Sequence, residues 1–418
     1  MNYYFYDTSS LILNADNLFE SGGKVIISSI TLSELENMKT SNRDIETKQT
    51  VQRLADILSK NRDKYETYIF HNAMLKPIEE ADLEINNDAK ILACAYDYDC
   101  NKHPDETYFV TDDLSLSNIA NLFFGEGCIL KAEDLNKDTY CGYKEIIMSE
   151  NELADFYSNM NAGINNYRLL VNEYLILKDT NDNIVDQYCW TGEDYRKVKY
   201  STFKSQWFGE VKPIKGDIYQ LLAVDSLSNN QINLIHGPAG SGKTYLSLSY
   251  LFSLLDKGTI DKIIVFCNTI ATKNSAKLGY YPGTRDEKLL DSQIGNLLAS
   301  KLGSRIEVER LIDQDLLVLL PFSDIRGYDT NGMNAGIYIS EAQNLDITLL
   351  KLGLQRVGED CVCIIDGDME TQVDDIHFTG VNNGMRRASK VYRGMDIYGQ
   401  VELRNIHRSK IAQIAELM

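Results

Sequence analysis

A run of eight residues in the second half of the chain has the spacing of a phosphate-binding loop. It matches G-x-x-x-x-G-K-T and consists of Gly237, Pro238, Ala239, Gly240, Ser241, Gly242, Lys243 and Thr244. In such a loop the backbone N–H groups face an anion at the start of a helix, Lys243 adds charge at the β- and γ-phosphates, and Thr244 offers a hydroxyl to Mg²⁺. The loop lies between a predicted strand and a predicted helix, a context that disfavours the alternative of a simple glycine-rich turn.

Chemistry at a phosphate-binding loop also needs a carboxylate further along the sheet. The apolar strand Ile337–Ile339 is followed by Ser340 and Glu341, and Glu341 is the predicted base for the attacking water. Ser340 occupies the position where an aspartate usually precedes this glutamate. Magnesium would therefore be held by one carboxylate fewer, so that either hydrolysis is weakened or another acid substitutes.

A further apolar strand, Val362–Ile365, ends in polar residues at the same predicted edge. Asp366, Gly367 and Asp368 follow it directly, and Gln372 comes shortly after. We predict that Asp368 and Gln372 sense the γ-phosphate, and the alternative is a polar turn at the sheet edge.

A small basic cluster near the end of the sequence contains Arg404, His407, Arg408 and Ser409. Arg408 is predicted to reach a γ-phosphate in its own chain or in a neighbouring subunit, as an arginine finger does. A solvated helix face explains the cluster equally well.

A second set of candidate residues consists of acids dispersed through the first part of the chain. They are Asp7, Glu34, Asp88, Asp112 and Asp113. They follow predicted strands or begin predicted helices, and such positions gather at one edge of a parallel α/β sheet. Clustered carboxylates repel one another unless a cation neutralises them, and Mg²⁺ or Mn²⁺ suits hard oxygen ligands. The cluster could activate water for attack on a phosphodiester. A helix-capping role explains Glu34 and Asp88 equally well when each is taken alone.

The elements that must position these residues indicate an α/β protein in three parts. Residues 1–131 alternate short apolar strands with amphipathic helices, which predicts a parallel sheet flanked by helices. Residues 132–212 contain shorter β-prone pieces separated by turn residues and predict a β-rich connecting module. Residues 213–418 alternate strands and helices again and predict a second α/β domain with a mostly parallel sheet.

Composition limits the classes of partner. The chain has 418 residues, with 42 Lys and Arg against 61 Asp and Glu, so its net charge is −19 and any nucleic-acid site must be local.

Its eight cysteines lack zinc-ligand spacing, which favours reduced structural thiols. Neither a secretory signal nor an apolar run of the roughly 18 residues that a membrane span needs is recognised. The expected location is the cytoplasm of a bacterial cell or of a phage-infected host.

One stretch combines basic and aromatic residues and could bind RNA. It contains Tyr195, Lys197, Lys199, Tyr200, Phe203, Lys204 and Trp207. Aromatic faces can stack on bases while lysines neutralise phosphates. A core strand with solvated lysines is the favoured alternative.

The first domain resembles PIN-domain ribonucleases. The matching segments are Tyr6–Ser9, Ser29–Leu35, Asp88–Ala95 and Val110–Leu116. The resemblance implies that Asp7, Glu34, Asp88 and Asp113 are the catalytic, metal-binding acids, with Asp112 beside the last of them.

The last domain looks like the PhoH family of ATPases, which is related to superfamily 1 helicases. The matching segments are Gly237–Thr244, Leu278–Gly283, Ile325–Gly327, Glu341–Asn344, Gln355–Gly358, Gly367–Asp368 with Gln372, and Arg408–Ser409. The order of the two matches is that of fused PIN-PhoH proteins. Gln220 falls where related motors contact adenine.

The double resemblance implies a metal-dependent endoribonuclease coupled to an ATP-driven RNA helicase or translocase. Its expected cofactors are ATP and Mg²⁺ or Mn²⁺, its expected substrate is single-stranded RNA, and its expected assembly is a hexameric ring. The departures from the family pattern are Ser340, the pair Asn268-Thr269 in place of Arg-Pro, and an Asp368 to Gln372 spacing one residue longer than is common. They favour, as the alternative, a nucleotide-gated RNA-binding regulatory protein with weak ATP hydrolysis. A kinase-like phosphoryl transferase ranks last because no site for a second substrate is evident.

Overall fold

The computed structural model describes residues 2–15, 18–19, 22–40, 45–104, 106–125, 127–135, 140–267, 293–369 and 383–407. The chain divides into two compact units, residues 1–139 and 140–418. Most of the predicted connecting module, residues 132–212, thus lies in the second unit. Among the helices that the structure describes, none has the length and apolar character that crossing a membrane requires.

The first unit is a parallel α/β domain, as predicted. Its elements are β1 (Tyr3–Tyr6), α1 (Thr8–Leu13), β2 (Lys24–Ser28), α2 (Ser29–Thr40), α3 (Ile45–Lys60), β3 (Tyr65–Tyr68), α4 (Lys76–Glu80), α5 (Asn87–Asn101), β4 (Thr107–Val110), α6 (Leu114–Ala120), β5 (Ile129–Leu130) and α7 (Ala132–Leu135). The five strands are parallel in the order β3-β2-β1-β4-β5.

The centre of this sheet is apolar because its strands are rich in aromatic and β-branched residues, which pack well on a pleated surface. Phe5 pairs in register with Ile26 on one side and with Phe109 on the other, and all three are fully buried. Ile91 and Leu92 of α5 pack in the same core. The carboxyl ends of β1 and β4 are therefore adjacent, which brings Asp7 next to the residues after Val110.

The second unit begins with a smaller β structure. It comprises β6 (Tyr143–Ile147), α8 (Glu150–Asn159), β7 (Tyr174–Lys178), β8 (Ile184–Trp190), β9 (Tyr195–Lys197), β10 (Phe203–Ser205) and β11 (Gly209–Val211). Strands β6 to β9 form one sheet in chain order, with β6 and β7 parallel and the other pairs antiparallel. Strands β10 and β11 form an antiparallel hairpin.

The rest of the second unit is the predicted parallel α/β domain. Its elements are α9 (Ile218–Asn229), β12 (Ile232–His236), α10 (Lys243–Asp256), β13 (Lys262–Cys267), α11 (Gln293–Leu302), α12 (Arg305–Asp313), β14 (Leu317–Pro321), β15 (Ala335–Ile339), α13 (Ile347–Leu354), β16 (Val362–Gly367), α14 (Gly384–Tyr392) and β17 (Tyr398–Glu402). The six strands are parallel in the order β14-β13-β15-β16-β12-β17.

Both faces of this sheet are covered, so the strands are apolar along nearly their whole length. Side chains alternate between the faces. Tyr338 and Ile364 pack on the face that also buries Leu246 and Leu248 of α10. Ile339 and Ile365 pack on the opposite face. The phosphate-binding loop joins β12 to α10, and it therefore lies beside the carboxyl end of β16, with that of β15 one strand further along.

Candidate functional site

The loop between β12 and α10 has the backbone shape that its glycines permit. Gly237 has φ 140°, and a Cβ placed there would lie 2.2 Å from the Leu403 carbonyl oxygen. Gly242, the residue before α10, has φ 98°. A residue with a side chain is strained in this region, so the motif requires glycine at both positions.

Lys243 and Thr244 form the start of α10, where backbone N–H groups have no helical partner and favour an anion. The Lys243 ammonium donates to the carbonyl oxygens of Gly237 and Pro238 at 2.5 and 2.9 Å. The Thr244 hydroxyl donates to Asp366 Oδ2 at 3.1 Å. The loop thus presents a cation and a threonine hydroxyl at one helix N-terminus, which are the groups that hold a nucleotide phosphate and its metal.

The Asp366 carboxylate contacts this helix start, although Asp368 was the acid predicted to sense the nucleotide. Its carboxylate accepts hydrogen bonds from Thr244, from the Tyr338 hydroxyl at 2.6 Å and from the Glu341 backbone N–H at 3.3 Å. Burial raises the pKa of the Asp366 carboxyl to about 6, against the hydrogen bond from Tyr338, which lowers it. Tyr338 was not anticipated, because nothing in the sequence indicates which strands are neighbours.

Ser340 and Glu341 follow β15 as predicted, and they have different surroundings. Ser340 is 5% exposed, and its hydroxyl has no hydrogen-bond partner of normal geometry among the described residues. Glu341 has φ 52°, an uncommon conformation for a residue with a side chain. Its carboxylate accepts a hydrogen bond from Gln343 Nε2 at 2.5 Å, and Gln343 Oε1 accepts one from the Asp368 backbone N–H at 3.1 Å. Gln343 therefore connects Glu341 with the strand end at Asp368.

Gln220, predicted to contact adenine, is buried beneath the loop. Its Nε2 donates to the Ser241 carbonyl oxygen at 3.0 Å, and its Oε1 accepts from the Ile214 backbone N–H at 3.0 Å. Asp217 caps α9 by accepting from the Gln220 N–H at 3.1 Å. Gln220 thus holds the loop in place, and an adenine contact stays a prediction.

The predicted basic cluster is described as far as His407. The Arg404 guanidinium donates to Glu402 and Glu145, and it stacks on the rings of Tyr143 and Tyr219. These contacts give Arg404 a structural role. The His407 backbone N–H donates to the Gly240 carbonyl oxygen at 3.0 Å, so this segment contacts the loop.

Several predicted positions lie outside the described residues. They are Asn268, Thr269, Leu278–Gly283, Gln372, Arg408 and Ser409. The roles assigned to them stay predictions.

In the first unit, Asp7 follows β1 and caps α1. Its carboxylate accepts from the Ser10 N–H at 2.6 Å, from the Thr111 hydroxyl at 2.7 Å and from the Ser9 hydroxyl at 3.1 Å. Burial raises the pKa of Asp7, and these hydrogen bonds oppose the shift. An acid held by three donors at a sheet edge is well oriented toward a ligand.

Glu34 has different partners from those expected. The capping role considered for Glu34 is not observed, because α2 begins at Ser29 and the Ser28 hydroxyl accepts from the Thr31 N–H at 2.9 Å. The Glu34 carboxylate accepts from the Thr8 hydroxyl and from Asn87 Nδ2. These bonds direct Glu34 toward the starts of α1 and α5, where Asp7 and Asp88 lie.

Four of the predicted acids share one electrostatic environment. Burial raises the pKa of Asp88, and the negative charges of Glu34, Asp113 and Asp7 raise it further. Asp113 caps α6 through the Leu116 N–H at 2.9 Å. The capping role considered for Asp88 is not observed, since Asn86 accepts from the Ala89 N–H at the start of α5.

Asp112 is placed differently from the metal-binding role that the sequence suggested. Its Oδ2 accepts from the Ser10 hydroxyl at 2.7 Å and from the Ala132 N–H at 3.4 Å, while its own N–H donates to Ser10 at 2.8 Å. These bonds commit the carboxylate to joining α1, the end of β4 and α7. The structure thus distinguishes Asp112 from Asp113, which sequence adjacency could not.

The donor chemistry of both sites fits a hard divalent cation, which selects carboxylate and hydroxyl oxygens. At the first site, mutual repulsion among Asp7, Glu34, Asp88 and Asp113 is the condition that a cation relieves. Within the part of the chain that the structure describes, however, no three His, Cys, Asp or Glu side chains are arranged so that they could hold a metal together. The acids face a common region but are not drawn together as a ligand set.

The aromatic residues of the basic stretch are mostly in the core. Tyr195 and Phe203 are buried, and Trp207 packs on Phe252 while its Nε1 donates to Glu307 at 2.9 Å. Lys197 pairs with Asp186 at 2.6 Å. Of the four aromatic residues, only Tyr200 is strongly exposed, so the interpretation as a base-stacking surface is wrong for the other three.

Comparison with known proteins identifies both domains. Residues 4–123 match the family model described as a PIN domain, and residues 214–418 match the model described as a PhoH-like protein. A Bacillus subtilis (strain 168) protein named PhoH2 is 25% identical over 448 residues, covering 99% of this chain and 98% of its own length. A PhoH-like protein of the same organism is 32% identical over 183 residues, covering 43% of this chain and 54% of its own. A PhoH2 protein of Thermobispora bispora is 28% identical over 204 residues, covering 48% and 45%. The chain contains a PIN domain first and a PhoH-like P-loop domain last, the order found in PIN-PhoH fusion proteins.

Proposed function

We propose that this protein is an ATP-dependent RNA-processing enzyme. In this proposal the PIN domain is a metal-dependent endoribonuclease, and the PhoH-like domain is an ATP-driven RNA helicase or translocase that delivers single-stranded RNA to it. The observation that carries the proposal is the presence in one chain of two groups of candidate residues, Lys243 and Thr244 with Asp366 at one sheet edge, and Asp7 with Glu34, Asp88 and Asp113 at another.

At the P-loop the residues have separable tasks. Lys243 can turn from the loop carbonyls to the β- and γ-phosphates, and Thr244 would hold Mg²⁺. Glu341, oriented by Gln343, would accept a proton from the attacking water. The metal would supply charge neutralisation at the phosphates. Gln220 keeps Ser241 in position, which orients the donors of the loop before nucleotide arrives.

At the PIN site the protein supplies orientation. Asp7 is fixed by Thr111, Ser9 and the Ser10 N–H, and Glu34 by Thr8 and Asn87. Asp7 and Glu34, together with Asp88 and Asp113, would hold Mg²⁺ or Mn²⁺. The metal would supply an activated water and neutralise the scissile phosphate. The substrate proposed is single-stranded RNA, and the proposed assembly is a homo-oligomeric ring, hexameric as in the resembled family, in the cytoplasm of a bacterial cell or infected host.

The test is cleavage of end-labelled single-stranded RNA with Mg²⁺ or Mn²⁺, with and without ATP. Asp7→Asn is expected to abolish cleavage and spare ATP binding, and Lys243→Ala is expected to abolish ATP stimulation and spare basal cleavage. Matched controls are Asp82→Asn on the surface of the first unit and Lys257→Ala at the far end of α10, both at exposed positions. Full activity in both Asp7→Asn and Lys243→Ala would refute the proposal.

A second function is favoured by Ser340, the departure from the family pattern. In this alternative the domain binds ATP, hydrolyses it weakly, and gates RNA binding. Steady-state phosphate release separates the two, because a motor turns over continuously in the presence of RNA and a gate does not. Slow release unaffected by RNA, together with normal nucleotide affinity, would favour the regulatory protein.

A further inference from the structure

Ser340 and Asp366 occupy equivalent places at the ends of neighbouring strands. Strands β15 and β16 are parallel, and Ile339 pairs in register with Ile365. The next residues along are Ser340 and Asp366. Because side chains alternate, Ser340 shares a face with Tyr338, and Asp366 shares a face with Ile364. Both belong to the face covered by α10, the helix that begins with Lys243 and Thr244.

The carboxylate that a P-loop site needs beside its threonine is therefore present on β16 instead of β15. Asp366 Oδ2 lies 3.1 Å from Thr244 Oγ1. Ser340 cannot supply a charge, and its buried hydroxyl has no partner of normal geometry within the described segments. The small serine leaves the position next to Thr244 to the acid of the neighbouring strand.

The surroundings of Asp366 hold its carboxylate toward α10. The Tyr338 hydroxyl donates to Oδ2 at 2.6 Å, and the Glu341 N–H approaches Oδ1 at 3.3 Å. Asp366 is 1% exposed. A buried carboxylate is costly unless charges or donors compensate it, and a nearby cation is the strongest compensation.

We propose that Asp366 replaces the missing β15 aspartate and, together with Thr244, holds the Mg²⁺ of the bound nucleotide. Tyr338 is a positioning residue that orients this carboxylate. The proposal rests on the proposed nucleotide-binding function and deepens it, since it names the acid that makes the site complete despite Ser340. It also removes the reason to expect weak hydrolysis.

The experiment measures the affinity of the full chain for fluorescent N-methylanthraniloyl-ADP, once with MgCl₂ and once with EDTA. The wild-type protein is expected to bind more tightly with Mg²⁺. With Mg²⁺, Asp366→Asn should bind the nucleotide at least about tenfold more weakly than wild type, which is the usual cost of removing a group that supports a metal ligand. With EDTA, its affinity should equal that of wild type. Asp261→Asn, exposed before β13 at the opposite edge of the sheet, is the matched control and should match wild type.

Reciprocal replacement gives the sharper test. Adding Ser340→Asp to Asp366→Asn returns the carboxylate to the end of β15. The double variant should recover the gain in nucleotide affinity that Mg²⁺ gives the wild-type protein. Tyr338→Phe keeps the ring and should weaken the gain by a smaller factor, so it serves if Asp366→Asn does not fold. Equal Mg²⁺ dependence in wild type, Asp366→Asn and Tyr338→Phe would overturn the role of Asp366 and leave nucleotide binding intact. A wild-type protein that binds no nucleotide in either condition would instead overturn the proposed function.

Discussion

Gln220 and Ser241 are joined by a hydrogen bond of 3.0 Å from the side-chain amide to the backbone carbonyl, which links α9 to the phosphate-binding loop. The other end of the same amide accepts from the Ile214 N–H. A residue 4% exposed thereby satisfies two backbone groups at once. The loop is held in shape by the protein itself, before any phosphate is bound.

Replacing Gln220 by leucine should therefore loosen the loop. The change keeps the volume and leaves the Ser241 carbonyl and the Ile214 N–H without this partner, at a cost of about 1 to 3 kcal/mol in the free energy of unfolding. Affinity for a nucleotide diphosphate should fall because the loop donors are less ordered. Urea unfolding and nucleotide titration measure both effects. Gln206→Leu, which removes an exposed bond to Asp256, should change stability by less than about 0.5 kcal/mol. Equal effects of the two substitutions would contradict this role.

The two adjacent acids after β4, Asp112 and Asp113, should respond differently to substitution. Asp113→Asn should abolish RNA cleavage with little loss of stability, since Asn also caps helices. Asp112→Asn should mainly lower the free energy of unfolding, because its carboxylate joins Ser10 to Ala132. Cleavage assays and thermal melts of both variants give the comparison. Loss of cleavage in a stable Asp112→Asn protein would return Asp112 to the metal site.

Local patterns predicted most of the elements that carry the site. The predicted strands Ile337–Ile339 and Val362–Ile365 lie within β15 and β16, because short apolar or β-branched runs between turn residues identify strands. The glycine and lysine spacing of the P-loop is also local. Strand β17 (Tyr398–Glu402) was not predicted, since its Gly399 and Gln400 interrupt the apolar pattern. All of its residues pair with β12, because packing in the fold overrides the weak local preference of this segment for a strand.

What could not be predicted depends on which strands become neighbours. Asp366 was seen as one of two acids at a strand end, and Asp368 was preferred from the family motif. Asp366 lies beside Ser340 because β16 pairs with β15, and it lies near Thr244 because β16 also pairs with β12, the strand before the loop. In the same way, only the fold shows that Asp112 and Asp113 have different partners. The order of residues in the sequence does not show in which direction each carboxylate side chain points.

His236, at the end of β12, should make stability depend on pH. Burial lowers its pKa from 6.5 to about 4; the charges of Glu402 and Asp368 oppose this, and those of Lys243 and Arg404 add to it. Gln400 Nε2, a donor, lies 3.1 Å from His236 Nε2, so the ring accepts there and is neutral.

The sign follows from proton binding. Between pH 4 and 6.5 the unfolded chain binds a proton at this histidine and the folded chain does not, so the contribution of His236 to stability falls as the pH decreases. The difference reaches about 3 kcal/mol at the acid end. His236→Gln should show a correspondingly shallower loss of stability than wild type in urea unfolding from pH 7 to 4.5, whereas His71→Gln, at an exposed position, should follow wild type. Parallel curves for wild type and His236→Gln would exclude the buried histidine as the cause.

The ion pair between Arg196 of β9 and Asp225 of α9 should couple the small β structure to the P-loop domain. The guanidinium donates to both carboxylate oxygens at 2.9 and 2.7 Å, and the Tyr174 hydroxyl also donates to Asp225 at 2.9 Å. The Asp225 side chain is 6% exposed. Among the described residues, Arg196→Met leaves this buried charge with the neutral Tyr174 hydroxyl as its donor, which should cost about 3 kcal/mol in the free energy of unfolding.

A second substitution tests whether the cost comes from the stranded charge. Asp225→Asn removes the charge and still accepts from Tyr174, so the Arg196→Met/Asp225→Asn protein should be more stable than the sum of the single effects predicts, by about 1 to 3 kcal/mol. The same cycle on Arg305 and Glu309, a pair 47% and 44% exposed, should give less than about 1 kcal/mol. Because α9 also carries Gln220, the Arg196→Met protein should bind nucleotide more weakly, and Asp225→Asn should partly restore that affinity. Additive effects at Arg196 and Asp225 would show that the β structure and α9 are stabilised independently.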